Sequence, residues 1–335
     1  MKFVDLFAGI GGFHQAANSA FGKDALCVAT CENDPKCKQF LLSHYKLREE
    51  SYVDDIRSLY NNDSQISKEL PKHDILFGGF PCQPFSNVGL RKGLNDSRGT
   101  LFYDLARVID YSTPKLFLLE NVQKIITLQK GNTLKAIVSH LEAIGYSVSI
   151  WDLRSDEYGL PQKRRRIFLA GIRSKNKLSP IPPPDKVKLE DSQYSTVWDL
   201  LDRSMPERHI VPYGSRKTIF QKNSKWMGHI GINNIIARPL CASMGKWHRA
   251  NQDNYFTEDY VYENKRPNLI EYDWTKENLR RISPVESLRL QGFPTEMNET
   301  FLEQKISITS QYKMLGNAVP VNLATKALNQ LMKYA

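Results

Sequence analysis

Residues 2–20 read KFVDLFAGIGGFHQAANSA, and the order of their parts decides the fold. The run from Lys2 to Phe7 reads as a buried strand. A glycine-bearing turn, Gly9-Ile10-Gly11-Gly12, follows at once, and Gly12 to Ala20 then reads as a helix. Strand, glycine turn and helix in that order open a βαβ unit. Glycines at such a turn let backbone N–H groups and the helix N-terminus approach a ligand. About 20 residues on, Glu32 ends a second strand (Ala25 to Cys31), the usual place for an acid that binds ribose hydroxyls. The dinucleotide pattern G-x-G-x-x-G would need glycine at position 14, where His14 stands. Alone, the stretch signals either some other nucleoside cofactor or a plain tight turn.

The same rhythm continues outward from there. Pro35 to Tyr45 reads as a helix, Ile75 to Gly78 as a strand and Phe102 to Ser112 as a helix. Leu116 to Glu120 is a short apolar run ending in a carboxylate. Leu134 to Ile144 is amphipathic, Tyr146 to Leu153 alternates like a strand, and Arg166 to Ile172 closes the series. Strands spaced by helices predict an α/β fold with a doubly wound, mostly parallel sheet. At Ser179-Pro180-Ile181-Pro182-Pro183-Pro184 the rhythm breaks, and this run reads as a stiff spacer. Beyond it, to about Lys276, the sequence is irregular and carries basic-aromatic clusters, Lys225-Trp226 and Lys246-Trp247-His248-Arg249. Order returns with a short helix, Pro284 to Leu290, and a final one, Val321 to Tyr334. The expected domains are residues 1–173, a smaller irregular domain over 174–279, and a C-terminal segment, 280–335, that returns to the first.

The chain has 335 residues and a formal charge of +10. A surface that basic suits a polyanion, most commonly nucleic acid. No apolar run approaches the roughly 18 to 20 residues needed to span a bilayer, so no membrane role is expected. MKFVDLFAGIGG has no signal-peptide character, which predicts a cytoplasmic protein. Five cysteines do not make a disulfide framework. Cys27, Cys31 and Cys37 cluster with poor zinc spacing, so no metal is expected and buried thiols are the better reading.

Cys82 is set differently. It stands in GGFPCQPFSNVG, residues 78–89, just past the strand at Ile75. Glycines permit close approach and prolines stiffen the chain, which describes a rigid loop presenting one thiol at a strand end.

Four stretches join the first loop in order: GFPCQPFS, Glu120-Asn121-Val122, Gln162-Lys163-Arg164-Arg165-Arg166, and Gly316-Asn317-Ala318-Val319-Pro320. Together they closely resemble the DNA (cytosine-5) methyltransferase family, of the prokaryotic or phage kind. Arg98-Gly99-Thr100-Leu101-Phe102, Tyr158-Gly159-Leu160-Pro161 and Arg289-Leu290-Gln291-Gly292-Phe293-Pro294 extend the resemblance, which covers residues 1–173 and about 280–330. The loosely matching region between them is, in this family, the variable target-recognition domain.

The resemblance implies the S-adenosylmethionine-dependent methyltransferase fold, with S-adenosylmethionine as methyl donor and S-adenosylhomocysteine as product. Carried over by position, Phe7, Gly9 and Gly11 line the cofactor loop, Glu32 binds the ribose hydroxyls and Asp55 the adenine amino group. Pro81, Leu101 and Asn317 complete that pocket, which requires the C-terminal segment to fold back beside the first strand. Cys82 is the nucleophile, Glu120 its partner at N3 of the cytosine, Arg166 contacts O2, and Arg164 lies near the nucleophile. Phe80 offers a backbone carbonyl to the cytosine amino group. Ser86 and Arg91 are candidates to grip the displaced strand.

These residue types suit the chemistry. C5 of cytosine is a poor nucleophile until a thiolate adds at C6, and cysteine forms the strongest nucleophile of the side chains for that step. Addition pushes charge onto N3, where a carboxylic acid lowers the barrier. A duplex hides C6 in the base stack, so the base must be extruded. In Gln162-x-Arg164-x-Arg166, strand alternation points Arg164 and Arg166 to one side and Arg165 to the other.

Base edges are commonly read by arginine on guanine and by asparagine or glutamine on adenine. Residues 238–252 occupy the expected recognition segment, with Arg238, Lys246, Trp247 and Arg249 as candidate contacts to double-stranded DNA. Two departures stand out. Pro239 replaces a threonine that the family commonly carries, and Val285 replaces an arginine expected to help hold the recognition domain, so another contact should substitute. The alternatives are methylation of tRNA, whose Cys-Phe-Thr signature is absent here, and an inactive DNA-binding relative. The compact organisation suggests a monomer in a bacterium or phage-infected host, acting in restriction-modification alongside a separate endonuclease.

Overall fold

A computed structural model describes residues 1–60, 70–81, 101–220, 231–246, 248–249, 252–266 and 278–335. The chain divides into two compact units, one of Met1–Leu153, Arg165–Asp185 and Leu323–Ala335, the other of Arg154–Arg164 and Lys186–Asn322.

The first unit carries a sheet built from β1 (Lys2–Leu6), β2 (Leu26–Cys31), β3 (Tyr52–Val53), β4 (Ile75–Gly79), β5 (Leu116–Val122), β6 (Tyr146–Arg154, its last residue assigned to the second unit) and β7 (Arg165–Arg173). Their order is β3-β2-β1-β4-β5-β7-β6. β1 pairs parallel with both β2 and β4, and β4 parallel with β5. β2 pairs parallel with β3, while β5 pairs antiparallel with β7, so the sheet is mostly parallel as expected. Helices α1 (Gly12–Phe21), α2 (Pro35–His44), α3 (Leu101–Ser112) and α4 (Asn132–Ala143) connect the strands. The central strands lack polar alternation because both their faces are covered: Phe3, Val4 and Leu6, like Leu116 to Leu119, are essentially buried. β6 sits at the sheet edge and alternates buried and exposed positions, which is why its period was visible in sequence.

The strand order reverses at β1, where the chain runs outward to β2 and β3 and then returns to β4 on the other flank. Such a switch opens a crevice at the carboxyl ends of the strands. Leu6 at the end of β1 pairs with Gly78, and Gly79 pairs with Glu120, so three functional loops leave from neighbouring strand ends.

The proline run differs from the expected spacer. The first unit continues to Asp185, past the boundary read at residue 173, and the run lies along the edge strand β6. The amides of Leu178 and Ile181 donate to Ser147 Oγ and Ser149 Oγ at 2.8 Å, and Trp151 Nε1 donates to the Ile181 carbonyl at 2.9 Å. Prolines have no N–H for a ladder, so serine hydroxyls and an indole supply the pairing and the edge is covered.

The second unit contains α5 (Val197–Leu200), α6 (Tyr213–Phe220), the antiparallel strands β8 (Tyr255–Thr257) and β9 (Leu279–Arg281), and α7 (Glu258–Glu263) between them in sequence. α8 (Pro284–Leu290), α9 (Met297–Glu303) and α10 (Ile308–Asn317) follow, and α11 (Val321–Met332) continues into the residues of the first unit. Its core gathers Val197, Leu240, Met244, Phe256, Tyr260, Ile282, Leu290 and Tyr312. α8 begins where the sequence placed it, because Ser283 and Glu286 form a capping box and Pro284 occupies the first turn.

Candidate active site

At the end of β1, Phe7, Gly9 and Gly11 all hold positive φ, of 58°, 59° and 83°. Gly11 has to be glycine on two counts, since an added Cβ would also sit 2.6 Å from the Tyr45 ring. Nothing lies within 4 Å of the Cβ that Gly9 lacks, so the loop presents open space there. Glu32, half-buried past β2, ties this loop down: its Oε2 accepts the Gly9 amide at 2.9 Å and its Oε1 the Asp34 amide at 2.8 Å. Each carboxylate oxygen retains a second acceptor site.

Asp55 begins a short helical turn, and its carboxylate accepts from the Arg57 amide at 2.9 Å and the Arg57 guanidinium at 2.5 Å. Those bonds hold its pKa below the usual carboxylate range, so it is an acceptor. Pro81 is exposed, Leu101 is half-buried at the start of α3, and Asn317 is exposed at the end of α10 in the second unit.

Two residues of the loop's foundation carried no role in the sequence reading. Tyr45 stacks on His14 with ring centroids 3.8 Å apart and donates to the carbonyls of Ile10 and Gly11. Asp5 is fully buried one residue before the end of β1, and its pKa is raised to about 8, chiefly by burial and further by Glu32, against the opposing His14 amide.

Glu120 lies near the end of β5 and Arg166 near the start of β7. Opposite Glu120 stands Phe168, and opposite Val122 stands Arg166, so Glu120 and Arg166 are diagonal neighbours on one face. Arg166 Nε approaches Glu120 Oε1 to 2.6 Å. The Arg166 N–H is not aligned on that oxygen, so the contact is a charge pair rather than a directed hydrogen bond. Arg165 points to the other face and forks onto Asp152 at 2.7 and 2.6 Å. Beside Glu120, the buried Asn121 donates its Nδ2 to the Phe80 carbonyl at 2.9 Å. That bond fixes the carbonyl two residues before Cys82 and leaves it a second lone pair. A carboxylate, a guanidinium and an oriented carbonyl are therefore brought together at adjoining strand ends. The sequence signal for Asn121 was its place in Glu120-Asn121-Val122.

Arg164 departs from the alternation inferred for residues 162–166, because β7 starts only at Arg165. It belongs to the second unit and is 1% exposed. Its Nη1 donates to the Leu240 carbonyl at 2.9 Å, and its Nη2 to the carbonyls of Gly316 and Ala318 at 2.9 and 2.8 Å. Gln162, fully buried, donates to the Leu290 carbonyl at 2.9 Å and accepts the Leu240 amide at 3.1 Å. These two side chains brace three chain segments of that unit.

Beside Val285 the structure holds a buried ion pair. Arg280 and Glu286, both 1% exposed, form a bidentate pair at 2.8 and 2.7 Å, and Glu286 also accepts the Asp202 amide at 2.9 Å.

In the segment expected to read bases, Asn254 clamps both backbone groups of Arg238, at 2.9 and 3.1 Å. The Arg238 side chain is half-buried, and burial lowers its pKa. Lys246 is exposed, and Arg249 donates to Gln252 Oε1 at 2.8 Å. Cys82, Ser86, Arg91 and Trp247 lie outside the described residues.

A family model described as C-5 cytosine-specific DNA methylase matches residues 1–333. Type II methyltransferase M.NlaX of Neisseria lactamica is 33% identical over 340 residues, which cover 100% of this chain and 96% of the relative. Type II methyltransferase M1.ScrFI of Lactococcus lactis subsp. cremoris is 34% identical over 349 residues, covering 99% and 79%. Among solved structures, an S. pombe Dnmt2 methyltransferase superposes with a TM-score of 0.75 at 18% identity, over 100% of this chain and 99% of the other, and so shares the fold.

Proposed function

Since this chain belongs to the C-5 cytosine-specific DNA methylase family, we propose that it methylates C5 of an extruded cytosine through a Cys82 adduct, with Glu120 and Arg166 gripping the ring edge. The observation carrying the reading is the Glu120–Arg166 pair at 2.6 Å, which joins β7 to β5, the neighbour of the strand that precedes Cys82 in sequence.

S-adenosylmethionine fits the residues present. The open space at Gly9, the Glu32 carboxylate at the end of β2 and the Asp55 carboxylate past β3 offer what a nucleoside needs: room for close backbone approach and acceptors for ribose hydroxyls and an amino group. When bound it supplies an electrophilic methyl group. Phe7, Gly9, Gly11, Glu32, Asp55, Pro81, Leu101 and Asn317 are the residues assigned to hold it.

The chain's own groups do the rest. The Cys82 thiolate adds to C6, and the electron pair of the C5–C6 bond moves toward N3. Glu120 delivers a proton or strong hydrogen bond at N3, and Arg166 steadies the charge shared with O2. The Phe80 carbonyl, held by Asn121, accepts from the exocyclic amino group and so selects cytosine. After methylation the C5 proton is lost, the C6–S bond breaks and aromaticity returns. Arg164 acts here as a positioning residue that holds the end of the Gln162–Arg166 stretch. Ser86 and Arg91 are assigned to the displaced strand, and Arg238, Lys246, Trp247 and Arg249 to the recognition surface.

The Type II names of the relatives support a restriction-modification role; the reading assigns it to a monomer, with a separate endonuclease, in the cytoplasm of a bacterium or phage-infected host. No helix among the described residues is long and apolar enough to cross a membrane. Bisulfite sequencing of DNA from a methylation-free bacterial host tests the reading: a short motif should be methylated with the intact protein and not with Cys82→Ala. Absence of methylated DNA from a soluble, S-adenosylmethionine-binding protein would favour an RNA substrate.

A further inference from the structure

We propose that His248 is a sequence-reading residue, presenting a single neutral N–H donor to a base edge; this rests on the DNA reading above. The argument begins with Arg281, on β9 of the second unit. Its Nη2 lies 2.7 Å from His248 Nδ1, and its Nη1 donates to the Met244 carbonyl. A guanidinium has donors only, so Nδ1 of the imidazole must be the unprotonated acceptor and Nε2 must carry the hydrogen.

The ring is also held in place. It is half-buried and packs against Tyr255 with centroids 6.2 Å apart and planes 29° apart, while Tyr255 and the buried Asp253 anchor the strand beneath it. Burial first, and the Arg281 charge second, lower the His248 pKa to about 4, which keeps the ring neutral at physiological pH. Nε2, on the side of the ring away from Arg281, makes no hydrogen bond with any described residue, and His248 is only half-buried. A half-buried aromatic ring with a fixed tautomer and an unused donor is costly to leave unpaired in an interface, which is what makes such a group discriminating. The matching partner is an acceptor in the major groove, such as N7 or O6 of guanine, N7 of adenine or O4 of thymine. Unlike Lys246 and Arg249, a neutral donor gains little from a phosphate, so its contribution is to sequence rather than to general affinity.

Two substitutions separate reading from support. His248→Asn keeps an acceptor for Arg281 and removes the outward donor; His248→Gln restores a donor near the Nε2 position and sacrifices the Arg281 contact. Methylation sites are mapped by bisulfite sequencing of a plasmid library, and kcat/KM is measured on the cognate site and on duplexes changed at one base pair. We expect His248→Asn to lose roughly tenfold or more of its preference at one position of the motif while Tm holds, and His248→Gln to keep the motif with a lower Tm. An unchanged motif and preference in His248→Asn overturns the assignment while leaving the methyltransferase intact. Relaxed specificity in both variants, together with lowered Tm, also overturns it, since loop support alone would explain that result. Failure of the wild-type protein to methylate any DNA overturns the underlying DNA reading instead.

Discussion

Arg166 Nε stands 2.6 Å from Glu120 Oε1, with the two side chains 13% and 10% exposed. The pair links β7 to β5 across the antiparallel ladder, and each group limits where the other can turn. Arg166→Met should lower kcat/KM by roughly 10² to 10³ and leave S-adenosylmethionine affinity unchanged, because the proposed mechanism assigns the pair to the base and not to the donor. Glu120→Gln should give a loss of the same order in kcat. Equal loss of cofactor binding, by isothermal titration, would contradict this division of labour.

Gly9 and Gly11 differ in what surrounds them, and so should their alanine variants. Gly11→Ala drives a methyl group into the Tyr45 ring at 2.6 Å, as well as forcing φ of 83° on alanine. It should lower Tm sharply. Gly9→Ala meets empty space and suffers only the backbone strain, about 1 to 2 kcal/mol. It should remain folded, yet bind S-adenosylmethionine more weakly. Thermal melts with and without cofactor separate the two effects.

Asp5 and the histidines make stability depend on pH in opposite senses. Asp5 titrates at about 8 in the folded protein, against an ordinary 3.8, so the native state holds a proton that the unfolded chain has released. Stability from this group is complete below about 3.8 and is lost as pH rises toward 8. Buried His14, at about 3, and His209 and His248, at about 4, behave in reverse. Their contribution is complete above 6.5, the ordinary value, and is lost as pH falls toward 4 and then 3. Between pH 6.5 and 8, Asp5→Asn should therefore flatten the decline in Tm. A wild-type slope retained in that variant would assign the decline to another group.

Arg164 binds three carbonyls while wholly buried, so its removal should register as instability. Arg164→Met leaves those acceptors without their donors and should cost about 3 to 5 kcal/mol. A denaturant melt that matches wild type, paired with lost activity, would return Arg164 to the catalytic role first expected of it.

The buried Arg280–Glu286 pair invites the same comparison. Removing one partner, as in Glu286→Gln, should destabilise by about 3 kcal/mol or more, because the other charge stays buried. The double variant Arg280→Met/Glu286→Leu should recover part of that loss. Additive losses in the double-mutant cycle would mean the two charges do not act as a unit.

How much of this was legible in sequence depended on whether the cause was local. β1, α1, β4 and β5 could be read because strand runs, glycine turns and caps act over a few residues, and α8 because Ser283, Pro284 and Glu286 mark its start. The two-residue β3 and the antiparallel direction of β7 carry no local signature, since both are settled by pairing partners far along the chain. The proline run looked like a spacer because Ser147, Ser149 and Trp151, which pin it, lie about 30 residues away. Motif order singled out Cys82, Glu120 and Arg166. It did not show that Asn121 orients the Phe80 carbonyl, or that Arg281 fixes the tautomer of His248.

The sequence by itself determined the alternation of strands and helices, the family and the chemical inventory of the site, because spacing and residue type are properties of the chain. Tertiary structure decided which of those groups meet and in what state. The Glu120–Arg166 diagonal follows from sheet register, the raised pKa of Asp5 from desolvation, and the bracing role of Arg164 from carbonyls more than 70 residues away. Register, burial and long-range pairing are properties of the folded packing, and the chain acquires them only when distant segments come together.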